Sequence, residues 1–187
     1  GRSGRPFSYV FWNDANGDSR TFNDLFYVPT GPGDVVFKNP AEETAFFQWL
    51  SAHPELARFA GQVAPANAFR AGWVNSFDVR VNQDFPGFMK GHKSSLSLDV
   101  MNIGNLLNKK WGLIKDAGFN SNLAVANFSG ICNAAAIASG ICPAGSAGKY
   151  VYRFTGAQDV SIQEVNGDGV NTGVSRWSAQ LTLRYSF

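Results

Sequence analysis

Ser175-Arg176-Trp177-Ser178-Ala179-Gln180-Leu181-Thr182-Leu183-Arg184-Tyr185-Ser186-Phe187 is the stretch whose reading decides the fold. Every odd position from Trp177 onward is apolar or aromatic, and every even one from Arg176 is polar. Strand side chains alternate between two faces, so this unbroken period of two makes one face oily and the other wet. Soluble sandwich strands alternate too, but they seldom hold the pattern so far. Here Trp177 brackets the aliphatic run at one end, and Tyr185 and Phe187 bracket it at the other. That is the distribution of the two aromatic girdles on a membrane-spanning barrel strand. On this reading Trp177, Leu181, Leu183 and Tyr185 face lipid or its interfaces, and Arg176, Gln180 and Arg184 face the lumen.

Trp73 to Phe85 repeats the design less perfectly. Trp73, Phe77, Val79, Val81 and Phe85 share one face, while Asp78, Arg80, Asn82 and Asp84 share the other. After the short connection Pro86 to Lys93, a partner strand places Leu96, Leu98 and Val100 opposite Ser95, Ser97 and Asp99. So short a connection makes an antiparallel hairpin. Trp73 and Phe77 join the lipid-facing set; Asp78, Arg80, Asp84 and Asp99 join the lumen set. Asp78 and Asp99 are expected to face each other, with Arg80 neutralising them. Pro6 to Trp12 is a fourth spanning candidate, with Phe7, Tyr9 and Phe11 on one face. Shorter strands are expected at Lys149 to Thr155 and Val160 to Val165, and a hairpin turn at Asn166 to Gly169.

Composition agrees with an all-β chain. Among 187 residues there are 20 glycines and 14% aromatics, which suits many turns and pleated surfaces. A net charge of +2 with only 16% charged residues gives no nucleic-acid footprint. No apolar run reaches the ~18 residues of a membrane helix, but a barrel strand needs only about 9–11. The expected fold is therefore an antiparallel transmembrane β-barrel segment with long outer loops. If Phe187 lies at the periplasmic rim, the strands alternate so that Pro86–Lys93 is a short periplasmic turn. Residues 13–72 and 103–174 are then long extracellular segments, the usual asymmetry. Gly1 to Arg5 show neither an initiator Met nor a leader segment, so either processing removed them or the chain is a fragment; the terminal strand favours the second, and residues 1–187 are expected to be a partial, C-terminal barrel domain of a larger protein.

The outer segments carry their own signals. Asn39 can cap a helix with Pro40 at its first position and Glu42 completing a capping box. Ala45, Phe46, Trp49 and Leu50 form its apolar stripe, expected to pack on the loop's own core. Cys132 and Cys142 lack further thiols or histidines for zinc, and a loop disulfide in an oxidising compartment fits better than two free thiols. Asp14, Asn16 and Asp18 have the oxygen spacing of a calcium loop, but the glycine falls at Gly17 and Leu25 stands where a Glu ligand belongs. An Asx-held turn is the stronger account, and calcium the weaker. The only histidines, His53 and His92, have no nucleophile or base motif beside them, and no catalytic residues are assigned.

Two longer motifs resemble a known family. Asn23-Asp24-Leu25-Phe26-Tyr27-Val28-Pro29, the aromatic helix, and Phe69-Arg70-Ala71-Gly72-Trp73-Val74 leading into Asp78–Asp84 are similar to Oar-like TonB-dependent receptors. So is Leu98-Asp99-Val100-Met101-Asn102-Ile103-Gly104-Asn105-Leu106-Leu107-Asn108 followed by Trp111-Gly112. Phe187 resembles the carboxyl-terminal aromatic that outer-membrane proteins present to their assembly machinery. The resemblance implies a barrel of about twenty-two strands in the Gram-negative outer membrane, with a plug and a TonB-contacting box upstream. Expected partners are outer-membrane lipid, the barrel-assembly machinery, the TonB complex through that upstream part, and an extracellular ligand. The expected function is ligand uptake; the alternative is a barrel that anchors an adhesive loop region. A soluble β-sandwich with carbohydrate-binding aromatics is a third reading.

Overall fold

The alternation at the end of the chain becomes a strand, β13, in the computed structural model, which describes residues 1, 3–118, 120–162 and 175–187. The chain runs β1 (Pro6–Val10), β2 (Tyr27–Val28), β3 (Val36–Phe37), α1 (Pro40–Ser51), α2 (Pro54–Ala57), β4 (Gln62–Val63), β5 (Phe69–Arg70), β6 (Val79–Pro86) and β7 (Lys93–Met101). It continues α3 (Ile103–Leu107), β8 (Lys115–Asp116), β9 (Asn122–Ala124), β10 (Asn127–Ile131), α4 (Ala134–Ala138), β11 (Tyr150–Arg153), β12 (Ser161–Ile162) and β13 (Ser178–Ser186). Strands dominate and helices are few and short. No helix among the described residues is long and apolar enough to cross a membrane. The expected turn at Asn166–Gly169, and residues 163–165 of the expected strand, lie outside the described residues.

Two compact units are present: a sheet unit (1–4, 72–116, 161–187) and an aromatic unit (5–71, 117–160). In the sheet unit, β7 lies between β6 and β13 and is antiparallel to both. Its pairing with β13 runs unbroken from Ser178↔Met101 to Ser186↔Lys93. With β6 it runs from Val79↔Val100 to Pro86↔Lys93. β8 and β12 form a separate short antiparallel pair.

The aromatic unit corrects one expectation. Pro6 to Trp12 belongs to a different sheet from the long strands: β1 pairs antiparallel with β5 and parallel with β9. Phe7, Tyr9 and Phe11 are buried on one side and Ser8 and Val10 on the other, so neither face is free for lipid or a lumen. The first face belongs to a core of Phe26, Phe46, Leu56, Phe69, Tyr152 and Phe154. Its rings meet at edge-to-face or tilted angles, as between Tyr9 and Phe69 at 4.7 Å and Phe11 and Tyr152 at 5.4 Å. Such contacts add about 0.5–1.5 kcal/mol each beyond area burial.

The helix forms where its cap residues place it. Asn39 Oδ1 accepts the Glu42 backbone N–H at 2.9 Å, and Pro40 is the first helical residue. Glu42 also binds outside the helix, accepting from Arg153 Nε at 3.2 Å and from the Phe154 backbone N–H at 2.9 Å. The helix is thereby tied to the end of β11. Of the expected stripe, Phe46 and Leu50 are buried against the unit's core and Trp49 packs half-buried beside them, whereas Ala45 is exposed.

Cys132 and Cys142 form a disulfide, with Cα atoms 5.9 Å apart. It closes the α4 loop and is buried with Val36 and Val151 in a second small apolar cluster. Closing a loop of this size restricts the unfolded chain, a stabilisation of about 2–3 kcal/mol in the loop-entropy model. Cys132→Ser is accordingly expected to expose residues 133–148 to protease at a lower urea concentration than in the oxidised parent, as mapped by limited proteolysis. Unchanged cleavage would show that the crosslink contributes nothing.

Candidate functional site

The three long strands are in register by side-chain type as well as by hydrogen bond. On one face the rows are Val79/Val100/Ala179, Val81/Leu98/Leu181, Gln83/Leu96/Leu183 and Phe85/Ser94/Tyr185. On the other they are Arg80/Asp99/Gln180, Asn82/Ser97/Thr182, Asp84/Ser95/Arg184 and Pro86/Lys93/Ser186. A one-residue slip in either pairing would exchange the faces, so the register and the pattern specify each other.

Among the described residues nothing covers the apolar face. Leu181 is 69% exposed and Leu183 75%, and Val79, Val81, Phe85, Leu96 and Leu98 are exposed beside them. Water would leave this contiguous patch costly, since apolar area is worth about 25 cal/mol per Å² when removed from it. β6 and β13 each have a strand on one side only among the described residues.

The polar face carries one strong pair. Arg80 Nε donates to Asp99 Oδ1 at 2.5 Å and its Nη2 to Asp99 Oδ2 at 3.0 Å, a fork on directly opposed residues. The expected Asp78–Asp99 juxtaposition is corrected here. Asp78 stands outside the ladder, and its Oδ1 accepts the Asn102 backbone N–H at 2.8 Å. Register gives Asp99 to Arg80, and among the described residues Asp99 is the carboxylate that pairs with that guanidinium.

The end of the sheet opposite the β6–β7 turn is closed by asparagines. Asn102 takes a left-handed conformation (φ 51°) and its Nδ2 donates to the Gly112 carbonyl at 3.1 Å. Asn105 Nδ2 donates to the carbonyls of Lys109 and Trp111, while its Oδ1 accepts the Trp177 backbone N–H at 3.3 Å. Gly112 has φ 65°, and a Cβ there would strike the Asn102 side chain, so glycine is required. Reading by strand period missed these roles; the repeated Asn in residues 102–108 followed by Gly112 was the signal.

This clamp also shortens the expected strand Trp73–Phe85. The Phe77 carbonyl accepts the Ile103 N–H at 2.8 Å, and the ladder starts at Val79. Trp73 and Phe77 remain highly exposed but precede β6. Trp177 and Arg176 likewise precede β13, where they line a cavity of about 560 Å³ with Asn105, Leu106, Lys109, Leu113 and Ser175. At the turn end, Tyr185 stacks on Phe88 at 5.9 Å and lies 5.5 Å from the His92 ring, and Phe187 is exposed beside them. Aromatic side chains thus occupy both ends of the apolar face.

In the aromatic unit, Asp14 to Asp18 form a turn held by side chains. Asp14 accepts the backbone N–H groups of Gly17, Asp18 and Ser19, and Asn16 accepts that of Asp18. Desolvation pushes the Asp14 carboxyl up, but these amide bonds outweigh it and hold it below the ordinary aspartate value. Each side-chain oxygen of the run accepts at least one N–H, the pattern of an Asx-held turn, and no group of three or more His, Cys, Asp or Glu placed to hold a metal occurs among the described residues. Burial, reinforced by Glu55, drives the Tyr9 phenol far above its usual value, and burial does the same at Tyr152. Their hydroxyls donate to Glu55 Oε1 at 3.2 Å and to the Tyr27 carbonyl at 3.0 Å, so both are structural.

A groove of about 510 Å³ crosses this unit, lined in part by Phe11, Asp24, Tyr27, Phe128 and Tyr150. Aromatic walls with one carboxylate could hold a neutral or cationic ligand. The arrangement therefore comprises a two-faced sheet whose apolar face is exposed among the described residues, and a crosslinked unit with a groove. No family model, curated protein or solved structure matches this chain.

Proposed function

We propose that this chain contributes wall strands and a folded outer-loop region to an outer-membrane β-barrel receptor. The observation that carries the reading is the in-register apolar face of β6, β7 and β13, uncovered across three strands of eight or nine residues. That length is close to the ~9–11 residues of a tilted barrel strand. Three strands cannot satisfy their own edges in lipid, so further strands of the parent protein complete the wall. Arg80, Asp84, Asp99, Gln180 and Arg184 then line the lumen.

The motif resemblance narrows the class to TonB-dependent receptors of the Oar-like kind. In that class an extracellular ligand enters from outside, and the TonB complex acts through the upstream part. The residues of this chain serve as wall, lumen lining and ligand-facing surface, with no catalytic step. A second reading, a barrel anchoring an adhesive region, is favoured by the aromatic unit's own core and disulfide.

Fractionating cells that express the full parent protein tests the proposal. Recovery in the outer membrane, with migration that changes on heating, is the expected result. Recovery as soluble secreted protein would end the wall reading and favour a β-sandwich. Uptake of a labelled ligand separates the two membrane readings, because an anchor imports nothing.

A further inference from the structure

The groove of the aromatic unit holds a buried carboxylate without a counter-charge. Asp24 lines it at only 9% exposure. Its Oδ2 accepts the Ala15 backbone N–H at 2.6 Å, and it forms no ion pair among the described residues. No Lys, Arg or His among them lines the groove. Lys149, beside Tyr150 in sequence, gives its ammonium to the Gly33 carbonyl and lies near Asp34. A carboxylate taken this far out of water ordinarily carries a cationic partner. Two more acids stand behind the lining: Asp18 accepts from Asn23 Nδ2 at 2.8 Å, and Asp34 from the Tyr27 hydroxyl at 3.0 Å.

The ring walls suit the missing cation. Phe11, Tyr27, Phe128 and Tyr150 line the same groove. Tyr27 meets Tyr150 at 5.5 Å with planes 84° apart, and Tyr150 meets Phe128 at 5.6 Å and 78°. Phe128 meets Phe11 at 5.8 Å and 60°. Rings turned against one another in this way form walls of several directions and no single flat platform. A sugar or a planar ring system needs a platform to lie on. A compact cation needs only ring faces within about 6 Å, where the ring quadrupoles attract it. The groove's volume, about 510 Å³, falls within the ~300–1,000 Å³ of small-molecule sites.

We infer that this groove binds an organic ammonium ion, its N–H groups donating to Asp24 and its carbon skeleton lying against the rings. The inference supplies a ligand class for the receptor reading above and rests on it for access from outside the cell. A neutral ligand leaves Asp24 uncompensated, and an anion meets three carboxylates. A metal cation answers the charge but finds four aromatic walls in place of oxygen ligands.

The experiment is isothermal titration calorimetry of the detergent-purified full parent protein with 2-phenylethylammonium, 2-phenylethanol and 3-phenylpropionate. The ammonium is expected to bind at least about tenfold tighter than the alcohol, the worth of a hydrogen bond to a charged group together with ring contacts. The carboxylate should bind weakest. Asp24→Asn keeps an acceptor for the Ala15 N–H and should bring ammonium and alcohol to within about threefold of each other. Val63→Lys places a cation on the groove wall at a half-exposed position, and should weaken the ammonium while sparing the alcohol. A parent that binds the alcohol as tightly as the ammonium, or binds neither, overturns the inference. So does an ammonium preference that survives both substitutions. Val63→Lys decides alone where Asp24→Asn no longer resists protease as the parent does. Fractionation is read separately. A soluble parent that keeps the preference overturns the wall reading alone, whereas an outer-membrane parent without it overturns only the ammonium site.

Discussion

Leu181→Arg is expected to remove nearly all of the parent protein from the outer membrane, while Gln180→Arg leaves its level close to that of the unaltered protein. The two positions are adjacent in β13 and similarly exposed, so ordinary surface tolerance predicts no difference between them. Their rows differ. Leu181 aligns with Leu98 and Val81 on the apolar face, and Gln180 aligns with Asp99 and Arg80 on the polar one. A cation placed mid-bilayer on a barrel strand costs about 2–4 kcal/mol, whereas a lumen position is bathed in water. Quantifying both variants in outer-membrane fractions checks the claim. Equal yields would count against the assignment of faces.

Phe26→Ala should be the most damaging single truncation in the aromatic unit. Phe26 is fully buried, and its ring packs against Phe11, Phe46 and Tyr152 at 5.0 to 6.0 Å. Deleting a buried phenyl removes its transfer energy and leaves a cavity, together about 3–5 kcal/mol. Val63→Ala, at a half-exposed position, should stay within about 1 kcal/mol. The readout is the urea concentration at which residues 5–71 and 117–160 of the parent become protease-sensitive. A small effect of Phe26→Ala would mean that the ring cluster is not the unit's stabilising core.

The sequence by itself determined the local features. Alternation in residues 177–187 and 95–100 specified two strands and assigned each side chain to a face, because pleating is a property of the strand alone. The Asn39–Pro40–Glu42 cap, the Asx turn at Asp14–Asp18 and the pairing of the two cysteines were legible for the same reason: each is decided within a few residues or by scarcity of partners. Only the tertiary structure decided what those pieces meet. Phe7, Tyr9 and Phe11 alternate as a spanning strand would, yet β5 and β9 flank β1 and the ring core covers it. Period two reports that a strand has two faces; it does not report what packs on either. Asp99 pairs with Arg80 and not across from Asp78, because register is set by the whole ladder and by the asparagine clamp that stops it at Val79. Those are contacts between residues distant in sequence, whose energies no local pattern encodes.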